Sequence, residues 1–347
     1  MPWTKLQIER EEPVFDESQG QNVRKLSYGD AIREALDQAL EKDGRVYVMG
    51  QGIDDPGGMF GTTLDLHKKY GNERVFDTPL SESCLTGVAV GSAMAGMRPV
   101  YIHNRPDFLL LAMDQIVNHA SKWSYMFAGQ VSIPLVIRTC IGRGWGSAAQ
   151  HSQALQSLFA HVPGLKVVMP ASAYDAKGLL ITAIADNNPV IYIEHRWCYK
   201  HIGYVPEKIY SIPFGQGVVK KEGKDVTIVA VSHMVIESLR ASVELEKKGI
   251  SVEIIDPRTL RPLDEEIILK SVAKTGKLLV ADLCWKTGGF SSEVITTVAE
   301  KGLRSLKKPP VRLSFPDIPT PAGFTLENAF YPGVDDIVRE VEKLAKE

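Results

Sequence analysis

The stretch LKVVMPASAYDAKGLLITAIADNNPVIYIE, residues 165–194, contains the pattern that decides the fold. Two short apolar runs, at 165–169 and 189–194, flank a segment over 173–186 whose apolar residues recur at helical spacing. A strand on each side of a helix of about 10–15 residues is typical of a βαβ unit, in which the two strands are parallel. The stretch therefore predicts a parallel sheet with both faces covered by helices.

The same alternation continues toward the N-terminus. Further strands are predicted at RVYVMG (45–50), PVYI (99–102) and IPLVIR (133–138), and helices between a Ser27 cap and a Gly44 stop, over 83–95, over 111–127 and from about 152.

Residues 201–213 interrupt this pattern with Pro, Gly and isolated aromatic residues, which is typical of a linker. A second, smaller alternation of strands and helices follows. We therefore expect an extended arm over 1–25, a first domain over 26–200, the linker, and a second domain over 214–347. The predicted class is α/β, with two doubly wound domains.

The composition excludes several classes of partner. Hydrophobic residues make up 44% and charged residues 24% of the 347, which is the balance of a folded globular chain. Lys and Arg total 40 against 42 for Asp and Glu, so a basic surface for nucleic acid is not expected. The apolar runs are all shorter than the roughly 20 residues of a membrane-spanning helix. We therefore expect neither nucleic acid nor a membrane as a partner.

The N-terminus and the cysteines bear on the compartment. The first 21 residues are charged and polar where a signal peptide would have an apolar segment, which predicts a cytoplasmic protein. The cysteines are far apart and form no C-x-x-C pair, so neither a disulfide framework nor a zinc ribbon is predicted.

No Walker loop, G-x-S-x-G elbow or H-E-x-x-H motif occurs, and each absence excludes a class of reaction. Two other residues, Glu82 and His151, are candidates for catalysis. Glu82 begins a helix that otherwise contains small and apolar residues. It either complements the positive N-terminus of that helix or is a desolvated carboxyl that shares a proton with a ligand nitrogen. His151 is either a helix-start histidine with a local hydrogen bond or a general acid–base group. The residues alone leave both alternatives open.

Several motifs occur in the order that is found in one enzyme family. They are RVFDTPLSES (74–83), GSAMAGMRPV (91–100), D-F-x-x-x-x-x-D-Q-I-V-N (107–118), AAQHSQ (148–153), HVPGLKVVMP (161–170), AKGLL (176–180), DNNPV (186–190), DPRTLRPLD (256–264) and TGGFSSE (287–293). Over about residues 26–345 the chain resembles the beta subunits of thiamine-diphosphate-dependent 2-oxo acid dehydrogenases, such as the pyruvate and branched-chain enzymes. The resemblance implies a pyrimidine-binding domain followed by a transketolase-type C-terminal domain.

The resemblance also implies roles for individual residues. Glu82 would meet the aminopyrimidine ring of thiamine diphosphate, Phe108 would stack on that ring with Asn104 nearby, and His151 would act beside the reacting carbon. A potassium ion, found in some members, would bind at the loop formed by Ala183, Asp186 and Asn188.

The resemblance places the rest of the cofactor site on another chain. A GDG sequence followed some 25–30 residues later by an Asn pair, the magnesium and diphosphate signature of these enzymes, does not occur here. We therefore expect Mg²⁺ on a partner alpha subunit, an α2β2 assembly, and a lipoyl acyltransferase as a further partner.

One segment departs from the family. His103, Asn104 and Arg105 stand where the family has apolar or aromatic residues before the stacking Phe108. A cation and an imidazole there would suit a polar or anionic substrate. The alternative is that Arg105 points away into a subunit interface.

The predicted function is therefore the beta subunit of a heteromeric enzyme that decarboxylates a 2-oxo acid and transfers the acyl unit, to a lipoyl domain in the dehydrogenase complexes. The alternatives are a split transketolase or carboligase acting on a sugar-like acceptor, and a non-catalytic regulatory or scaffold subunit.

Overall fold

A computed structural model of the chain describes residues 2–3, 7–8, 24–144 and 146–346. Most of the arm that we expected over 1–25 lies outside the described residues. Contacts along the described chain divide it into two compact units. Unit 1 contains the residues up to Ile141 and Phe159–Phe214, and unit 2 contains Gly142–Leu158 and the residues from Gly215 onward. The segment 142–158 thus belongs to unit 2, although it lies within the sequence range expected for the first domain.

The strands and helices alternate through both units. The strands are β1 (Gln7–Ile8), β2 (Lys25–Ser27), β3 (Val46–Gly50), β4 (Val75–Asp77), β5 (Arg98–His103), β6 (Val136–Ile141), β7 (Lys166–Val168), β8 (Val190–His195), β9 (Ile202–Tyr204), β10 (Tyr210–Ser211), β11 (Val218–Lys221), β12 (Val226–Ala230), β13 (Val252–Asp256), β14 (Thr259–Arg261), β15 (Leu278–Trp285) and β16 (Val311–Phe315). The α-helices are α1 (Tyr28–Lys42), α2 (Leu66–Tyr70), α3 (Glu82–Met94), α4 (Pro106–Leu109), α5 (Trp123–Met126), α6 (Gln156–Ala160), α7 (Ala173–Ala185), α8 (His233–Lys247), α9 (Glu265–Thr275), α10 (Phe290–Gly302), α11 (Phe324–Phe330) and α12 (Val334–Ala345).

The central sheet of unit 1 is parallel, as predicted. Its strands lie in the order β7-β8-β6-β5-β3-β4, and every neighbouring pair among them is parallel. All residues of β3, β5, β6 and β8 are buried, which explains why most of their residues are apolar.

The βαβ unit predicted over 165–194 is present as β7, α7 and β8. The side chain of Ser172 accepts a hydrogen bond from the Asp175 backbone N–H and so caps the start of α7. Nearly every residue of α7 is buried, including the Lys177 side chain. The chain then reverses through Asp186 and Asn187 into β8.

Unit 2 contains a smaller sheet in the order β11-β13-β12-β15-β16. The strand β11 is antiparallel to β13, whereas the other neighbouring pairs are parallel. Helices α8, α9, α10 and α12 pack against it. The predicted α/β class with a second, smaller domain is confirmed.

Three local predictions differ from the structure. The helix expected over 111–127 is broken: a wide π-helical segment over Asp114–Ala120 precedes the short α5, and the Ser121 N–H bonds the Ile116 oxygen five residues back. The helix expected from about 152 begins only at Gln156. The expected linker over 201–213 includes β9, antiparallel to β2, and β10, parallel to β1.

None of the helices in the described ranges has the length and apolar composition needed to cross a membrane.

Candidate active site

A row of polar side chains lies at the carboxyl ends of β3 and β5. These neighbouring strands end at Gly50 and His103, so Gln51 and Asn104 come directly after them. A Cβ atom at Gly50 would lie 2.4 Å from the Ile102 backbone oxygen, so only glycine allows the two strands to approach there. The carboxyl ends of strands are where ligands bind in open α/β sheets.

Glu82 belongs to the same row. It is the first residue of α3, and its side chain is buried, with 9% of the residue exposed. The Gln51 amide donates to Glu82 Oε1 at 3.4 Å, and the Asn104 amide donates to Gln51 Oε1 at 3.5 Å. A continuous line of hydrogen bonds therefore joins the predicted residues Glu82 and Asn104 through Gln51. The N-terminus of α3 also favours the negative charge of Glu82.

His103 is the last residue of β5 and is almost fully buried, with 1% of the residue exposed. Burial lowers the pKa of its imidazole to about 3, so the ring is neutral at physiological pH. Its Nε2 lies 3.4 Å from the Thr86 hydroxyl on α3, and its ring centre lies 4.1 Å from that of Tyr101. His103 can therefore exchange hydrogen bonds with a neighbour but adds no positive charge.

Arg105 lies two residues after the end of β5 and is also buried, with 7% of the residue exposed. Its Nη1 donates to the Cys140 backbone oxygen near the end of β6, at 3.4 Å. The pKa of Arg196 is lowered by burial and, next, by the charge of Arg105. Two guanidinium groups therefore lie near each other in unit 1. Whether Arg105 contacts a substrate stays a prediction.

Phe108 follows in the short helix α4 and is half-buried. Its predicted role of stacking on the cofactor ring also stays a prediction.

His151 lies in unit 2, in an exposed loop rather than at the start of a helix. A cavity of about 670 Å³ lies within unit 2 beside the residues that flank His151. It is lined by Ala149, Gln150, Gln153, Trp285, Thr287, Asp317, Ile318 and Pro319. The loop thus presents His151 next to a wide, solvent-open space.

The predicted potassium loop connects α7 to β8. Asp186 Oδ1 accepts hydrogen bonds from the backbone and side chain of Asn188, at 2.9 and 3.1 Å, and the other carboxylate oxygen accepts one from the Lys166 ammonium. The Ala183 backbone oxygen accepts the Asp186 N–H at 3.3 Å. An ion would share Asp186 with the Lys166 ammonium, and the potassium assignment stays a prediction.

Two residues of the site were missed by the sequence argument. Gln51 directly follows a buried strand, and the rule that ligands bind at the carboxyl ends of strands could have found it. Tyr101 has no such signal, because it is one apolar-looking residue within β5. Its ring centre lies 4.1 Å from that of His103, and its pKa is raised to about 12 by burial and, next, by the charge of Glu82.

Comparison with known domain families gives two matches. The transketolase pyrimidine-binding domain matches residues 24–200, and the transketolase C-terminal domain matches residues 215–337.

Similar proteins cover almost the whole chain. The beta subunit of acetoin:2,6-dichlorophenolindophenol oxidoreductase from Cupriavidus necator is 43% identical in an alignment of 334 positions that covers 93% of this chain and 98% of that protein. The 2-oxoisovalerate dehydrogenase subunit beta of Bacillus subtilis is 42% identical, over 92% of this chain and 99% of its own. A mitochondrial pyruvate dehydrogenase E1 subunit beta-2 of Oryza sativa subsp. japonica is 40% identical, over 92% and 86%.

A solved structure has the same fold. It is described as a split-gene transketolase, an inactive beta4 tetramer, and it superposes with a TM-score of 0.76 at 25% identity, covering 92% of this chain and 99% of that one. With both transketolase domains matched and relatives at about 40% identity over 86–99% of their own length, the chain belongs to the beta subunits of the thiamine-diphosphate-dependent 2-oxo acid dehydrogenases.

Proposed function

We propose that Glu82 is the proton-handling carboxyl of this chain's half of a thiamine-diphosphate site, and that the assembled enzyme decarboxylates a 2-oxo acid and passes the acyl unit to a lipoyl domain. An alpha subunit would hold the diphosphate and Mg²⁺ in an α2β2 assembly. The observation that carries the proposal is the position of Glu82: a buried carboxylate at a helix N-terminus, hydrogen-bonded to Gln51 at the carboxyl edge of a parallel sheet.

The residues around Glu82 suit a nitrogen heterocycle. The Asn104 Oδ1 atom is buried and has no hydrogen-bond partner among the described residues. Buried polar atoms are rarely left in that state, so a ligand with its own donors and acceptors would satisfy it. Glu82, Gln51 and Asn104 would therefore hold the aminopyrimidine ring of thiamine diphosphate.

Bound thiamine diphosphate supplies the carbon nucleophile and the electron sink for decarboxylation. The task of Glu82 is to hold and exchange one proton at a ring nitrogen of the pyrimidine. Gln51 orients the carboxyl for this purpose, because its amide nitrogen points at Glu82 and its amide oxygen faces Asn104. His151, exposed beside the unit 2 cavity, would exchange a proton with the substrate in the transfer step.

The substitution Glu82→Gln tests this proposal because it keeps the shape and the hydrogen bonding but removes the exchangeable proton. We expect the cofactor to bind the assembled enzyme still, while exchange of the thiazolium proton with deuterium oxide and overall turnover both fall about 100- to 10,000-fold. Exchange is measured by NMR after quenching, and cofactor binding by calorimetry.

The matched control is Glu293→Gln. Glu293 is also in the first turn of a helix, α10, but it is exposed. A role limited to the helix terminus predicts a stability loss of about 0.3–1 kcal/mol in either variant and wild-type exchange. Wild-type exchange in the cofactor-loaded Glu82→Gln enzyme would remove Glu82 from the mechanism.

Exposed apolar side chains on unit 1 support the proposal of a partner alpha subunit. Val88 and Met94 on α3 are exposed. Leu110 and Leu111 are exposed in the segment that packs beside α3. Tyr125, Met126 and Phe127, in and directly after α5, are exposed as well, the tyrosine to 89%. Exposed large apolar side chains that are this numerous mark interaction sites in folded proteins when they form a patch, and they therefore support the proposed partner.

The split site predicts how the isolated chain behaves. Calorimetry should detect no tight, magnesium-dependent binding of thiamine diphosphate by this chain alone, because it lacks the diphosphate signature. Binding should appear when the alpha subunit is added. Tight binding by the chain alone, or a stable monomer at micromolar concentration, would contradict the obligate assembly.

A further inference from the structure

The loop that carries His151 is anchored to unit 2 at both of its ends. At the start, Arg143 Nη1 lies 3.4 Å from Glu327 Oε2, and the guanidinium lies 4.9 Å from the ring centre of Tyr331. Glu327 lies in α11, and Tyr331 follows that helix directly. The first anchor therefore ties residue 143 to one helix of unit 2 by charge and by cation–π contact.

The second anchor lies at the first turn of α6. Gln156 Nε2 donates to Asp282 Oδ1 at 2.8 Å and to the Leu283 backbone oxygen at 3.2 Å. Gln156 and Asp282 are both 0% exposed. The hydrogen bonds therefore join the loop to the middle of β15, the strand next to the edge of the unit 2 sheet.

Neighbouring contacts support the same attachment. The Cys284 thiol donates to the Ala154 backbone oxygen and lies beside the Ser157 hydroxyl, each at 3.4 Å. These groups lie on either side of Gln156 in the sequence. The loop is thus attached to three consecutive residues of β15: the side chain of Asp282, the backbone oxygen of Leu283 and the thiol of Cys284.

Burying Gln156 and Asp282 in the core of unit 2 costs free energy, because an amide and a carboxyl must both lose their hydration. Burial raises the pKa of Asp282 to about 6, with the hydrogen bond from Gln156 acting in the opposite direction. The Gln156 Oε1 atom is buried and has no hydrogen-bond partner among the described residues. Two apolar side chains of the same shape would fill this space without the cost of desolvating an amide and a carboxyl. What apolar side chains cannot supply is a directional bond.

We infer that Asp282 and Gln156 are positioning residues that hold the His151 loop on unit 2 through their hydrogen bond. The bond fixes the first residue of α6 against β15. His151 lies five residues before that point in an exposed, irregular segment, so the anchor limits where its imidazole can be. The effect on catalysis rests on the function proposed for His151, whereas the anchoring itself does not.

Hydrogen exchange tests the anchoring without any reference to activity. The variants are Asp282→Leu and Gln156→Leu, which remove the hydrogen bond, and the matched control is Asp282→Asn, which keeps size and the acceptor oxygen. In the assembled enzyme we expect backbone amides of residues 146–155 to exchange about tenfold faster in the two leucine variants, as expected for the loss of a hydrogen bond to a charged group. Asp282→Asn should exchange at close to the wild-type rate. Equal protection in all three variants would overturn the inference.

The half-reactions test the consequence for His151. Gln156→Leu should slow acyl transfer more than decarboxylation, and adding it to His151→Ala should cause no further loss, because residues that act as one unit are not additive. Losses that multiply would show that Gln156 affects the enzyme independently of His151 and would overturn the positioning role. If His151→Ala alone leaves both half-reactions intact, the proposed role of His151 fails, and the exchange rates still decide whether the loop is anchored.

Discussion

The Glu82 region and the His151 loop hold their candidate catalytic residues in different ways. Glu82 is buried at the start of a thirteen-residue helix, beside strands whose residues are all buried. His151 is exposed in an irregular segment that is attached to unit 2 near residues 143 and 156. The sheet positions the first residue through regular backbone structure, whereas a few side chains position the second.

This difference has a chemical reason. A carboxyl that exchanges a proton with a ring nitrogen gains from a desolvated, fixed environment. A group that serves a transfer step must remain accessible to an incoming acceptor, and loops at the surface of a rigid scaffold provide that access. The comparison therefore predicts that changes in the two regions will affect different half-reactions and different physical properties.

The substitution His151→Ala should have the largest effect on activity, and it tests the comparison between the Glu82 region and the His151 loop. We expect acyl transfer to fall about 100- to 10,000-fold, as for loss of a positioned acid–base group, with a smaller loss in decarboxylation. The two steps are separated by measuring carbon dioxide release with an artificial electron acceptor and transfer with a lipoyl domain. The melting temperature should not change, because His151 is exposed. Equal losses in both half-reactions would contradict the division between the two regions.

Arg138 tests how far a buried ion pair stabilises the sheet of unit 1, at whose edge Glu82 lies. It is 1% exposed on β6, and its Nε and Nη2 donate to the two carboxylate oxygens of Glu194 at 2.6 and 2.9 Å. Arg138→Met leaves the Glu194 carboxylate buried without its cation, which should cost about 3–5 kcal/mol of unfolding free energy. Denaturation in urea measures this loss.

The control for that prediction is the double variant with Glu194→Leu. Replacing both members of a buried ion pair by apolar residues is often neutral, so part of the stability should return. The recovery is incomplete because the buried Tyr199 hydroxyl, which donates to Glu194 Oε2 at 2.8 Å, loses its acceptor. If Arg138→Met is as stable as the wild type, the sheet of unit 1 does not depend on this ion pair. The contrast between Glu82, held by a stable sheet, and His151, held by a few side chains, would then be weaker.

The smallest expected effect concerns Arg105 and the substrate. Replacing Arg105 by Ala or Phe removes a buried guanidinium at the carboxyl edge of the sheet, close to that of Arg196. Contact with an anionic substrate group would contribute about 1.5–3 kcal/mol, which raises KM for a polar 2-oxo acid about 10- to 150-fold. Steady-state kinetics on a series of 2-oxo acids measure the change, with Arg105→Lys retaining the charge. Turnover that is unchanged on every 2-oxo acid would place Arg105 outside the pocket.

Much of the fold could be predicted from local pattern. The βαβ unit over 165–194 follows from two apolar runs and a helical spacing, both of which act over a few residues. The broken helix after residue 110 could not be predicted in this way. Its apolar spacing is helical, but the extra residue in the turn that ends at Ser121 is a property of how the backbone packs there.

The site shows the same limit. The residue types and their order determined that this chain belongs to a thiamine-dependent family and singled out Glu82 and His151. Both residues lie within short motifs that can be recognised in the sequence without knowledge of the fold. Only the tertiary structure decided that Gln51 connects Glu82 to Asn104, that the His103 ring is neutral, and that the loop around His151 packs with unit 2 through Gln156 and Asp282. Hydrogen-bond partners and burial depend on atoms that are 17 to 126 positions apart in the chain, and no local pattern in the sequence encodes such distances.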